Sequence, residues 1–205
     1  TEVTWAMRGS LPFFLFWMRP MMIAFLGSDF ERGLAMLKDG IETGEVPCDL
    51  AFPGVAPFEG FHYLGVKTRC AMKEIGPAMG RAMDKLESSL SRDGITTTGQ
   101  AFSIYHKWAL VRGYADFTIG LPVAAAPASV PGDLVAGEIP DCSTYRVEHK
   151  GPYRHLGNAW SAAMMHGRAK RFKTNRSIHP FEIYQSRPGE VADEELVTVI
   201  HMPAS

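Results

Sequence analysis

The 205-residue chain has no basic excess: 21 Lys and Arg stand against 22 Asp and Glu, for a net charge of -1. A protein whose main partner is nucleic acid gathers surplus cations into a patch. The run Arg168-Ala-Lys170-Arg171-Phe-Lys173 falls where a helix is expected to end, and cations there complement the helix dipole. Nucleic acid is therefore not an expected partner. Cysteine is scarce as well. Cys48, Cys70 and Cys142 are odd in number and far apart, which speaks against a disulfide framework or structural zinc and fits a reducing cytoplasm. Long apolar runs are also wanting. Leu11 to Leu26 is interrupted by Arg19-Pro20 before either side reaches the roughly 18 apolar residues of a spanning helix. Without a basic start or a small-residue cleavage site, it does not read as an export signal either. Neither a membrane span nor a leader is expected. The sequence also lacks a G-x-S-x-G elbow, a P-loop, a dinucleotide fingerprint and an H-E-x-x-H helix. No metal and no cofactor are expected.

What is present is an ordinary core-forming composition, 46% hydrophobic and 21% charged, in three parts. Residues 1–46 open with Thr1-Glu-Val-Thr-Trp5, which alternates like a strand. Leu11 to Leu37 then reads as one long helix, with Phe30, Leu34, Leu37 and Ile41 at helical spacing and Ser28-Asp-Phe-Glu31 in the form of a capping box. Such a helix cannot bury its own apolar side. It is expected to dock on the rest of the chain or on a second subunit, making a homodimer. Pro and Gly from Val46 to Gly60 read as a loop, with a boundary near residue 55.

From there the chain says nearly the same thing twice. Phe61 to Arg69 reads as a strand. Ile75, Met79, Ala82, Met83, Leu86 and Leu90 share a helical face that Asp93-Gly94 closes, and strands follow at 101–105 and 115–123. Beyond a connector, Ala124 to Gly132, the order recurs. Strand material spans 134–148, a helix carries Leu156, Ala159, Trp160 and Ala163, and strands lie at 181–186 and 195–202. Ala101-Phe-Ser-Ile-Tyr105 matches Pro180-Phe-Glu-Ile-Tyr184, and Ile119-Gly-Leu-Pro-Val123 matches Ile200-His-Met-Pro-Ala204. The expected fold is α+β. Two β-α-β-β units, 58–123 and 133–205, would be related by a pseudo-twofold axis, with helices near 75–91 and 153–170 framing a groove over an antiparallel sheet.

The stretch His149-Lys-Gly-Pro-Tyr153-x-x-Leu156-x-x-Ala159-Trp160, with Phe181-Glu182-Ile-Tyr184 and Thr198-Val-Ile-His201-Met-Pro203, resembles the GyrI-like (gyrase-inhibitor-like) effector-binding domain. The resemblance covers the second repeat well and assigns 55–205 to that domain. It implies a protein that binds small molecules, lipophilic and often cationic or aromatic. Thr1 to Trp5, with Asp29-Phe30-Glu31-x-Gly33-Leu34-x-x-Leu37-Lys38, resembles the last strand and helix of a START-like, polyketide-cyclase-like domain. Residues 1–46 would then be its remnant. With no helix-turn-helix pattern, the expectation is a binder without its own DNA-binding head.

Glu182 alternates with Phe181 and Ile183, so it shares a face with Tyr184. On residue type alone that face is the wet side of a half-buried sheet. The resemblance instead places an acidic residue at the middle of the ligand groove, where desolvation raises its pKa. Ser103 is its counterpart in the first repeat. Tyr105, Tyr184, Tyr145 and Trp160 are candidate groove walls, and each also suits core packing. His201 stands where the family often has Tyr. It is either a satisfied histidine or the partner of Glu182 in an acid/base pair across neighbouring strands. Two functions follow from the resemblance: a binding module anchored by Glu182, or a hydrolase of strained electrophilic natural products using Glu182 and a pocket aromatic.

Overall fold

A computed structural model describes residues 1–127 and 129–205; Ala128, within the expected connector, lies outside them. The order of elements is α1 (Arg19–Glu42), β1 (Asp49–Phe58), β2 (Phe61–Ala71), α2 (Ile75–Arg92), β3 (Phe102–Ala109), β4 (Tyr114–Val123), β5 (Val135–Ile139), β6 (Cys142–Lys150), α3 (Leu156–Arg168), β7 (Phe181–Tyr184) and β8 (Val197–Ala204). All eight strands form one antiparallel sheet in the order β1-β6-β8-β7-β3-β4-β2-β5. The order is symmetric about the β7–β3 pair: β3 corresponds to β7, β4 to β8, β2 to β6 and β5 to β1. The α+β class and the duplication stand.

Each unit is larger than the expected β-α-β-β by one leading strand. The segment read as a Pro/Gly loop is β1, which pairs with β6 of the other repeat, while β5 pairs with β2 of the first. The two repeats thus exchange arms. Pro53 and Pro57 need no ladder donor on an edge strand, and the register slips between Ala51 and Gly54 to accommodate the first of them. The β1–β2 and β5–β6 connections are two residues each, and Gly60 N donates to Asp141 Oδ1 at 2.7 Å between them. Two outer edges joined by such short links must curl towards each other at that end.

The sheet has two apolar faces. On one, α2 packs over β2 and β4, and α3 over β6 and β8. Their cores are Leu64, Ala82, Leu86 and Phe117 in the first repeat, and Val147, Ala159, Ala163 and Ile200 in the second. The other face, inside the curl, holds Phe58, Phe61, Tyr63, Phe102 and Phe181. The expected helices are present at 75–92 and 156–168, the latter led in by a short helical turn at Tyr153–His155.

Residues 1–46 differ from the reading. No strand forms at 1–5; Trp5 instead folds back to stack on Phe30 at 4.8 Å. Alternation alone does not make a strand: residues 1–5 pair with neither sheet edge, and Trp5 packs on α1. Ser28 does not cap a helix, because α1 runs unbroken through it from Arg19, with Pro20 in the first turn where its missing N–H costs nothing. The Arg19-Pro20 interruption therefore does not divide the segment. Phe13–Glu42 is one helical run long and apolar enough, by length and composition, to cross a membrane. Its second half is nonetheless tied to the domain: Asp39 accepts from Arg154 Nε at 2.8 Å and His155 Nε2 at 2.7 Å. In the first half, Phe13, Phe14, Phe16 and Trp17 are exposed.

Candidate functional site

Because each helix covers only the outer strands of its own repeat, β3 and β7 form an uncovered floor between α2 and α3. Glu182 lies on that floor. Alternation places it on the helix side, with Phe181 and Ile183 in the opposite aromatic layer. It is 1% exposed, not the solvated strand residue that its type alone suggests. Three donors converge on its carboxylate. The Tyr105 and Tyr184 hydroxyls donate to Oε1 at 2.8 Å and 2.7 Å, and Trp160 Nε1 donates to Oε2 at 2.7 Å. Ser103 Oγ is 2.9 Å from the Tyr184 hydroxyl, whose proton goes to Glu182, so Ser103 is the donor in that bond.

Burial pushes the Glu182 carboxyl above the usual range, and the three hydrogen bonds oppose that shift without cancelling it. Burial, and then the charge of Glu182, hold the Tyr105 and Tyr184 hydroxyls well above their ordinary value. The result is one buried anion surrounded by aromatic rings and donors, with no cation among its partners. Buried carboxylates are ordinarily paired with a cation.

Two aromatic residues absent from the sequence-based site extend the wall. Tyr153 meets Tyr184 edge-on at 5.7 Å, and its hydroxyl is pushed up to about 12 by burial and by the nearby Glu182 charge. Trp108 meets Tyr105 edge-on at 5.5 Å and is 52% exposed. Strict alternation sends Trp108 to the opposite face from Tyr105. A bulge between Tyr105 and Lys107 restores it to the groove side, a shift that residue types do not signal.

Tyr145 and His201 are not brought to Glu182. Tyr145 sits under α3, stacked on Phe172 at 4.4 Å, with its hydroxyl 2.6 Å from His166 Nδ1. His201 pairs in register with Phe181, not Glu182, and stacks on that ring at 4.8 Å in the opposite layer. Burial lowers its pKa to about 3, and Nδ1 is 3.0 Å from Thr144 Oγ1. The acid/base pair expected as one reading is therefore absent; a one-residue offset across neighbouring strands puts the two groups on opposite faces. Among the described residues, no group of three or more His, Cys, Asp or Glu could hold a metal ion. Open depressions of about 630 Å³ and about 150 Å³ lie around Phe58 and Gly60, at the corner where the arms cross, and away from Glu182. The Glu182 site itself is shut by its own aromatic side chains.

Residues 55–205 match the family described as the GyrI-like small molecule binding domain. The chain belongs to the GyrI-like family. Comparison with proteins of curated function finds no match. Among solved structures, the GyrI-like chain is similar to the C-terminal domain of EcmrR, at 19% identity and a TM-score of 0.59, covering 77% of this chain and 98% of that one. It is similar to SAV2435 bound to tetraphenylphosphonium, at 14% identity and a TM-score of 0.57, covering 76% and 94%. The likeness to EcmrR in its DNA complex, at 17% identity and a TM-score of 0.64, takes in 94% of this chain and 72% of that one. At these identities the likeness is one of fold. The small-molecule-binding description rests on the family match over residues 55–205, as the resemblance implied.

Proposed function

We propose that this GyrI-like protein binds lipophilic, cationic, aromatic small molecules in the groove between α2 and α3, with Glu182 as the anchor. The carrying observation is a carboxylate that is 1% exposed, has three neutral donors and has no cationic partner. Aromatic faces stabilise a cation beside that carboxylate, and an apolar groove with few polar groups is what ligand sites generally have. The structural likeness to SAV2435 bound to tetraphenylphosphonium supports a delocalised organic cation as the first probe. Such a ligand has no N–H or O–H to offer. It would interact with the carboxylate by charge and need not displace its donors. Entry requires Trp160 and the tyrosines to part.

Hydrolysis needs a water held against the carboxylate and poised on a substrate. Both Glu182 oxygens are instead committed to side-chain donors, which favours binding over turnover. No DNA-binding head is proposed within residues 1–205, and the exposed aromatic turns leading into α1, Phe13 to Trp17, are the surface through which two copies would pair. Soaking crystals with tetraphenylphosphonium tests the ligand reading. Density between α2 and α3, over β3 and β7, is expected; density only at the Phe58–Gly60 corner would refute it.

A further inference from the structure

Residues 153–161 present two faces. On one, Tyr153 meets Tyr184 and Trp160 Nε1 donates to Glu182. On the other, Arg154 and His155 bond Asp39, Asn158 Nδ2 reaches Met36 Sδ and Cys48 Sγ at 3.4 Å each, and Arg32 reaches Ser161 Oγ at 3.4 Å. Helical geometry accounts for the division. Tyr153 and Trp160 are seven residues apart, as are Arg154 and Ser161, with Asn158 between the latter two. One stiff segment therefore lies between α1 and the groove.

Asp39 is the centre of the α1 side. It is buried, and its carboxyl is held below the usual range by Arg154 first and His155 second. It also lies outside residues 55–205, the part of the chain that matches the family. The turn it grips is fixed from behind. Gly151 has φ 141°, its N–H donates to Leu196 O at 2.8 Å, and a Cβ there would collide with the Pro47 carbonyl. Arg154 and His155 follow that fixed turn and carry its link to Asp39. α1 also rests against Leu110–Arg112, just beyond Trp108 in the other repeat.

We propose that Asp39 is a positioning residue for the groove: by holding Arg154 and His155 it sets where Trp160 stands against Glu182. The proposal rests on the reading of Glu182 as ligand anchor only for its consequence, that the placement of α1 tunes affinity. Coupling of this kind is reciprocal, so a ligand that parts Trp160 from Glu182 also strains the Asp39 contacts.

The test uses the full chain and a readout that needs no ligand. The indole N–H resonance of Trp160, one of four tryptophans, is assigned by its loss in Trp160→Phe. Asp39→Asn keeps an acceptor but weakens the grip, and should shift that resonance; Glu42→Gln, exposed on the same helix, should not. Tetraphenylphosphonium affinity should fall roughly threefold to tenfold in Asp39→Asn. Should that variant not fold, Arg154→Gln cuts the same link from its more exposed side. A Trp160 resonance unmoved in the folded variant overturns the proposal whatever the ligand does. A shifted resonance with no binding by the parent upholds the positioning role and defeats the ligand reading instead.

Discussion

Glu182 stands directly across the β3–β7 pair from Ser103, its own counterpart in the other repeat. The pseudo-twofold axis passes between them. Two carboxylates facing each other at that point would repel, and each would disfavour the other's ionisation. One carboxylate and one hydroxyl avoid this, and the hydroxyl supports Tyr184, which supports Glu182. The asymmetry creates a single anionic site on a symmetric frame. Ser103→Ala should therefore leave the fold intact at a cost of about 1 kcal/mol, the worth of one ordinary hydrogen bond. Denaturant unfolding measures it.

The buried charge itself opposes stability. Burial raises the Glu182 pKa above its unfolded value, so the folded state holds its proton longer as pH rises. Stability attributable to this group is fully present below the ordinary carboxylate range. It falls as pH climbs through the raised folded value. Glu182→Gln removes the desolvated charge but turns one acceptor oxygen into an NH2 donor, so the readout is the pH dependence: the parent's thermal midpoint should fall relative to the variant's as pH rises from 4 to 7. A midpoint difference independent of pH would show that the carboxyl is not desolvated.

The histidines act in the opposite direction. His201 and His149, with pKa lowered by burial to about 3 and about 4, are neutral in the folded protein. Each stabilises the fold above the ordinary histidine pKa, and that contribution is lost as pH falls below it. The slope is up to about 1.4 kcal/mol per pH unit for each group. Unfolding free energy measured between pH 7 and pH 4 should show the decline. His201→Phe, which keeps a ring against Phe181, should make it shallower, with the share of His149 remaining.

Much of the frame was legible because it follows from periodicity. Amphipathic spacing located α2 and α3, and the two Phe-x-Ile-Tyr strands pointed to the central pair. Glu182 with Tyr105, Tyr184 and Trp160 followed from alternation joined to the family resemblance. The rest depended on pairing that residue types do not encode. β1 was hidden by prolines that an edge strand tolerates. Trp108 reaches the groove through a bulge, and it takes the register with Phe181 to decide for the satisfied histidine over the Glu182 pair at His201. Tyr145 lies on the helix side of the sheet but beneath α3, where Phe172 covers it. The role of Asp39 could not be read at all, since its partners lie 115 and 116 residues away.

Gly151 gives a purely structural check on the turn that leads into α3. Its positive φ and the approach of the Pro47 carbonyl leave no room for a side chain. Gly151→Ala should cost roughly 1–3 kcal/mol from backbone strain, more if the collision is not relieved. Because the turn positions Tyr153, ligand affinity should fall along with stability. Unfolding and binding measured on the same sample would show both.

The most direct test of the ligand assignment is calorimetric titration of tetraphenylphosphonium into the parent and Glu182→Gln at matched pH and salt. The substitution keeps the shape of the side chain and removes its charge. Losing the Coulomb attraction of a partly desolvated carboxylate several ångströms from the cation should cost about 1–3 kcal/mol at an effective dielectric of 20–40, or roughly fivefold to a hundredfold in affinity. That loss should appear in a variant whose circular dichroism shows that it remains folded. Equal affinity in the two proteins would contradict the account, and Glu182 would then be a structural acceptor for Tyr105, Tyr184 and Trp160 and nothing more.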